Sequence, residues 1–339
     1  MLAVGIVGFL AGTGLPGKDA LAQELSLLDT IRERGHLRCG LHGDRPALAR
    51  QEEGGTWRGM EPDLCRLVAA SALGDPDAVI FIPASEKESE AALLVGELDM
   101  IALAPNFLSQ QSGQGARARS TALALVDGIA LATGREWQVG NALQLDGQKI
   151  CGRSEDELAP LRRYASRNGI EFDLAILGEG TIEARIETCA ALAAQRLRLL
   201  EMLSDLPEDA QAWEILPESF SRDQWTPLVP PGDQQWYDIV RWGLFAVIQA
   251  EELGLSQADL AEGAPEPQDP RIRRLVGLEG DLGTSIGLDS QWARRAIQAV
   301  GNYGEMFARN FGATSPYSLE RGPNALWNEG GLLQSPPFL

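Results

Sequence analysis

Short apolar runs of β type alternate with longer stretches of helical periodicity along this 339-residue chain. That rhythm restricts the fold more than any other feature. Residues 37–41, 79–83, 99–104, 128–133, 149–153, 174–178, 213–216 and 226–229 read as strands. Residues 62–73, 86–95, 155–168 and 181–203 read as helices between them. Within 62–73, Leu64, Leu67, Val68, Ser71 and Ala72 recur at i, i+3, i+4 spacing and share one helical face. An alternation of this kind predicts an α/β fold of parallel sheets covered by helices. The last third changes character: 235–253 and 290–311 read as two strong helices. Ile239, Val240, Leu244, Val247 and Ile248 line one face of the first, and Trp292, Ala296, Val300, Tyr303 and Phe307 one face of the second. A Pro- and acid-rich connector, 262–270, lies between them.

The length allows one large or two medium domains, and 44% hydrophobic with 23% charged residues is ordinary globular composition. A formal net charge of −19 argues against nucleic acid or an anionic membrane surface as partner, because both would repel the chain. It says nothing positive about a ligand.

Residues 2–15 form an apolar run interrupted only by Gly5, Gly8, Gly12, Thr13 and Gly14, followed by Pro16-Gly17 and then Ala20-Leu21-Ala22. A short apolar run, a breaker and a small-x-small tripeptide are the marks of a cleavable export signal over 1–22, although no Lys or Arg precedes the run. The run is too short to span a bilayer, which takes about 20 apolar residues. No Cys stands at the cleavage point, so a lipid anchor is not expected. Cys39, Cys65, Cys151 and Cys189 are an even set in a chain read as exported, which predicts two disulfides. Three pairings are possible, and four separate buried thiols are the alternative. No metal site is expected, since there is no C-x-x-C and only two histidines are present.

Several stretches resemble the periplasmic general L-amino-acid binding proteins of ABC transporters, the type that serves glutamate, glutamine, aspartate and asparagine. Thr30-Ile-Arg-Glu-Arg-Gly-His-Leu-Arg-Cys-Gly40 is similar to that family's first helix and strand. Trp57-Arg-Gly-Met-Glu-Pro-Asp-Leu-Cys65 resembles its W-x-G-x-D-x-D-x-C segment, and Gly96-Glu-Leu-Asp99 its G-E-x-D turn. The C-terminal third carries Gly232-Asp-Gln-Gln-Trp-Tyr-Asp-Ile-Val-Arg-Trp242, Ala299-Val-Gly-Asn-Tyr-Gly-Glu305 and Asn324-Ala-Leu-Trp327. The resemblance is weak from about 85 to 211 and strong elsewhere.

It implies a type II periplasmic-binding-protein fold, two parallel-sheet α/β lobes joined by two hinge crossings and closing on a solute. Lobe 1 would be 23–127 with 228–339, and lobe 2 would be 128–227. The favoured cysteine pairing is then Cys39–Cys65 and Cys151–Cys189, each within one lobe. A monomer in the periplasm that hands a small polar solute to an inner-membrane ABC permease, without a cofactor, is what the resemblance implies.

A zwitterion in a closed cleft needs an opposite charge or several hydrogen bonds at each pole. The family answers with a lobe 1 Arg that forks the carboxylate, a Gly-Thr-Thr loop of backbone donors in lobe 2, and an Asp that accepts the ammonium. This sequence departs at all three. The Arg position falls near Gln111, in the turn that begins Pro105-Asn106; the loop after Cys151 is shortened to Gly152-Arg153-Ser154-Glu155; and the Asp position falls near Gln195. No Asp or Glu stands between Cys189 and Glu201. The candidate ligand residues are therefore amides and relocated charges: His42, Arg45, Asn106, Gln111, Arg153, Ser154 and Gln195, with Arg117 and Arg119 further downstream. An altered solute, a binding-incompetent protein that engages another protein, and a dehydratase-like enzyme on the same fold are the three readings. No catalytic residue is assigned, because neither His36 nor His42 lies in a nucleophile motif.

Overall fold

The computed structural model describes residues 26–105, 117–177, 188–204 and 213–338. The export segment 1–22, Asn106 and Gln111 lie outside the described residues. In chain order the strands are β1 (Leu37–His42), β2 (Arg50–Gln51), β3 (Trp57–Arg58), β4 (Val79–Ala84), β5 (Met100–Pro105), β6 (Arg119–Ser120), β7 (Leu125–Asp127), β8 (Ile129–Gly134), β9 (Lys149–Gly152), β10 (Asp173–Ile176), β11 (Ala191–Gln195), β12 (Trp213–Ile215) and β13 (Asp223–Val229). The α-helices are α1 (Leu27–Arg34), α2 (Met60–Leu73), α3 (Glu86–Leu94), α4 (Glu155–Asn168), α5 (Arg196–Ser204), α6 (Gln234–Glu252), α7 (Pro270–Leu275), α8 (Trp292–Val300) and α9 (Tyr303–Phe311).

Two main sheets result. The first has the order β4-β1-β5-β13-β6, with β7 also on β13, and the second β10-β9-β11-β8-β12. β1 runs parallel to β4 and β5, and β9 parallel to β10 and β11. The sheets are nonetheless mixed and not purely parallel as expected. β13 is antiparallel to β5, β6 and β7, and β8 is antiparallel to β11 and β12. The reason is the chain path. β8 enters the second sheet directly from β7 of the first, and β13 comes back from β12, so both arrive against the helix-connected strands.

These are the two crossings between the sheets, and they touch. Ile129 N–H donates to Ser221 Oγ at 2.9 Å. A Cβ on Gly128 would stand 2.2 Å from the Ser221 carbonyl oxygen, so only glycine admits the close approach there.

Two helix expectations fail locally. Residues 191–195, read as part of a helix over 181–203, form β11, buried between β9 and β8, with α5 starting at Arg196. The Ala-rich run has high helix propensity, but small side chains also fill a strand covered on both faces, and burial decides. The expected helix 290–311 is two helices, broken where Gly301 takes φ +81° and Asn302 caps α9 in a capping box with Glu305.

The main core packs α2, α6, α8 and α9 on the first sheet around Trp236, Tyr303, Phe307 and Phe311, all fully buried. Smaller clusters cover the second sheet. Several motif residues are structural. Asp99 is fully buried and takes Arg34 together with the Arg38 backbone N–H (2.7 Å) and guanidinium (3.0 Å). Asp63 ties α2 to Arg309 (2.7 Å) and Asn310 (2.7 Å) of α9. Asn324 clips β7 by accepting from Val126 N–H (2.7 Å) and donating to its carbonyl (2.9 Å). The cysteines pair at disulfide distance as Cys39–Cys65 and Cys151–Cys189, with Cα separations of 6.1 and 6.0 Å.

Candidate functional site

In open α/β sheets the C-terminal strand ends are where ligands collect. Several buried polar groups, among them His42, Arg45 and Glu201, gather there, where the loop after β1 meets the end of β11 and the start of α5. His42 ends β1. Its Nδ1 lies 2.5 Å from Glu61 Oε1, and its backbone N–H donates to Glu61 Oε2 at 2.8 Å. Glu61 is completely buried at the start of α2. Burial disfavours the imidazolium, but the charge and hydrogen bond of Glu61 outweigh it. With Arg45 opposing and Glu86 assisting, the His42 pKa is raised above its ordinary 6.5.

Arg45, 9% exposed, bridges the two sheets. Its Nε donates to Glu201 Oε2 at 3.1 Å and Oε1 at 3.3 Å, and its Nη1 to Gln195 Oε1 at 3.1 Å. Glu201, on α5, also accepts from Ala47 N–H (3.0 Å) and Arg198 (3.1 Å), and Arg198 reaches the Asp44 carbonyl at 3.0 Å. Trp225 of β13 packs against both side chains: its ring centroid is 5.7 Å from the Arg45 guanidinium carbon and 5.7 Å from the His42 ring, which meets it edge-on. Arg45 Nη2, Trp225 Nε1 and Thr226 Oγ1 are buried and have no hydrogen-bond partner among the described residues. Strand alternation sends Trp225 and Thr226 to opposite faces of the sheet, so only Trp225 shares the Arg45 side.

Beneath this layer Asp127, buried at the crossing, accepts from Gly128 N–H (2.8 Å) and Leu197 N–H (3.3 Å). Burial is the largest influence and pushes its pKa up to about 6. Asp223 is also raised, again mainly by burial.

His42, Arg45 and Gln195 thus converge. Arg153 and Ser154 sit at the start of α4 instead. Ser154 is the N-cap, its Oγ accepting from Glu157 N–H at 3.4 Å, and the exposed Arg153 engages Glu157 through its backbone N–H (2.6 Å). Arg119 is turned away, stacked 4.0 Å over the Tyr237 ring. Glu61, Glu201, Trp225 and Asp127 are the site residues that sequence reasoning did not name. Glu201 was visible only as the first acid after Cys189, and Glu61 only as an acidic position of the 57–65 segment; Trp225 and Asp127 carried no signal of their own.

No protein-family model matches the chain. It is 36% identical over 97% of its length to the glutamate/glutamine/aspartate/asparagine-binding protein BztA of Rhodobacter capsulatus, of which it covers 98%. It is 33% identical to the general L-amino acid-binding periplasmic protein AapJ of Rhizobium johnstonii, covering 96% of each. Among solved structures, a periplasmic binding protein of an ABC transporter from Brucella ovis, with glutathione bound, superposes at a TM-score of 0.79. That match has 32% identity and spans 93% of this chain and all of that one. These relatives are named as binding proteins, and the Brucella ovis structure shares the fold of this chain. The chain belongs to the substrate-binding proteins of amino-acid ABC transporters.

Proposed function

We propose that the cleft between the two lobes, bounded by His42, Arg45, Gln195 and Trp225, seats a small polar solute that differs from an ordinary anionic or zwitterionic amino acid, and that the protein delivers it in the periplasm to an ABC permease as a monomer. The division into lobes at 127/128 and near 227/228, the export signal over 1–22, and the contributions of Asn106, Gln111, Arg153 and Ser154 are part of this proposal. The observation that carries it is the pairing of Arg45 with Glu201. The buried cation of the cleft is already neutralised within the protein, so a solute carboxylate would have to compete with Glu201 for it. Asp127 and Asp223 add carboxyl groups below. Each makes a second carboxylate more costly to bury.

The test is thermal unfolding of the oxidised protein against amino acids, amines, short peptides and organic acids, with glutathione included because the Brucella ovis relative carries it. A solute at 100 times its Kd adds about 2.7 kcal/mol, which raises Tm by about 4 °C for a chain of this size. The expected result is a shift with an amine, amide or peptide and none with glutamate or aspartate. A shift of that size with either acidic amino acid would sink the reading.

A further inference from the structure

A second concave site lies between α6 and the C-terminal segment, where β13 returns to the first sheet. Residues 121–123, between β6 and β7, form its floor with Gln224 of β13. Its walls are Arg241 and Phe245 of α6 and residues 332–337. None of these belongs to the cleft set, and strand alternation turns Gln224 to the face opposite its neighbour Trp225. The C-terminal wall is fastened down: Ser335 N–H donates to Glu252 Oε1 at 3.3 Å, and the Phe338 ring seats against Trp242 (5.1 Å) and Trp292 (6.3 Å). The groove holds about 590 Å³, a volume typical of small-molecule pockets.

Arg241 is the one charged residue of this described lining, in a chain whose formal net charge is −19. It is half-buried and makes no hydrogen bond or ion pair among the described residues. Its contacts are aromatic. The guanidinium carbon lies 5.3 Å from the Phe245 ring and 6.0 Å from the Tyr237 ring. Asp238, one turn back on the same helix, is taken by Gln234 Nε2 at 3.0 Å. A guanidinium packed on rings keeps its edge N–H groups for a partner, and their fork matches a carboxylate. Beside that cation stand Leu123, Phe245 and Leu332, the last 43% exposed. One pole of the groove therefore calls for an anion and the rest for apolar surface. An amine would be repelled by Arg241, a polyphosphate would find one cation for several charges, and an inorganic anion would leave the apolar walls uncovered.

We propose that this groove is a second ligand site, outside the cleft, for a small organic acid. The acid sets one carboxylate on Arg241 and lays an acyl or aryl body on Leu123, Phe245 and Leu332, with the exposed Gln224 and Gln334 amides at the rim. The proposal is independent of the solute reading above.

Calorimetric titration of the oxidised full chain at pH 7.5 with octanoate and 4-phenylbutanoate, each beside its primary amide, tests it. At least one acid binds with a Kd of about 1 mM or tighter, and its amide binds weaker by about tenfold or more, the loss expected for a charge-assisted contact. The acid that binds tells an acyl body from an aryl one. Arg241→Gln weakens it by a similar factor. Arg163→Gln, which removes an exposed charge on α4, does not. Leu332→Glu sets an acid on the exposed wall and weakens binding likewise. It supplies the readout should Arg241→Gln change the melting temperature, and it tells the groove from the cleft, which it leaves intact.

Absence of binding by both acids overturns the second site. So does an amide that binds as tightly as its acid, or a folded Arg241→Gln or Leu332→Glu protein with undiminished affinity. Each of these outcomes leaves the cleft reading standing, since glutamate and aspartate in the thermal screen decide that one.

Discussion

Asp127 shows how a single residue at the crossing couples the fold to pH. It is buried, which pushes its folded pKa up to about 6 from the 3.8 of a free carboxyl. A raised carboxyl pKa means that the folded state holds the proton more tightly than the unfolded one. Stability from this group is present below pH 4 and is lost as pH rises through 6, by about 3 kcal/mol in all. Asp127→Asn removes the titration. Urea unfolding at pH 4 and 7.5 is expected to show the wild type losing about 2 kcal/mol more than the variant over that interval. A constant difference between the two proteins would mean that the carboxyl is not raised. The sequence showed none of this, because a buried Asp at a strand end looks like a solvated one. His42 and Arg45 were named as candidates because they follow the first strand, where clefts form, and Gln195 because it falls near the Asp position of the resembling family, although its segment was read as a helix. Their partners were not: Glu201 is 156 positions from Arg45, and nothing local announces a pairing over that distance.

Elements were read well wherever periodicity and burial agreed. α4 was expected over 155–168 and is observed as Glu155–Asn168, with Ser154 as its cap. β1, β4, β5 and β9 match their expected bounds to within a residue. β11 was lost for a physical reason. Ala191, Leu192, Ala193 and Ala194 are all fully or nearly buried, so no polar alternation marks the strand, and alanine favours a helix wherever tertiary contacts do not intervene. Part of that intervention is covalent. Cys189, just before β11, pairs with Cys151 of β9 and pins the two strands side by side. Closing a loop of 38 residues restricts the unfolded chain by about 4 kcal/mol on the chain-entropy account. The Cys151→Ala, Cys189→Ala double variant is therefore expected to lose about 2–4 kcal/mol in urea unfolding. The loss should appear first in the hydrogen exchange of β9, β10 and β11, with β1 and β5 protected for longer. Uniform loss across both sheets would mean that the pair supports the molecule as a whole and not this sheet.

At the scale of the molecule, hydrogen bonds between the 44–47 loop and α5 join the sides of the two sheets, which are the two lobes of the proposed reading. The loop belongs to the first sheet's side, since Ala47 and Leu48 are in its core, while α5 packs on β8, β11 and β12 of the second. Glu201 is the centre of the contact: Arg45, Ala47 N–H and Arg198 all donate to it. Removing it leaves Arg45 buried without its counter-charge, which costs about 3–5 kcal/mol as long as the lobes stay together. Opening the cleft relieves that cost by returning Arg45 to water, so Glu201→Ala is expected to enlarge the radius of gyration seen by small-angle scattering. Replacing the pair jointly, as Arg45→Met with Glu201→Leu, removes both charges and fills similar volume. That protein should regain the compact scattering profile, because apolar contact substitutes for a buried ion pair at little or no loss. The two variants separate a latch from a packing defect. If the charge pair holds the lobes, the single variant opens and the double one recloses. If both variants scatter like the wild type, the ion pair does not hold the sheets together, and the crossings alone set their arrangement.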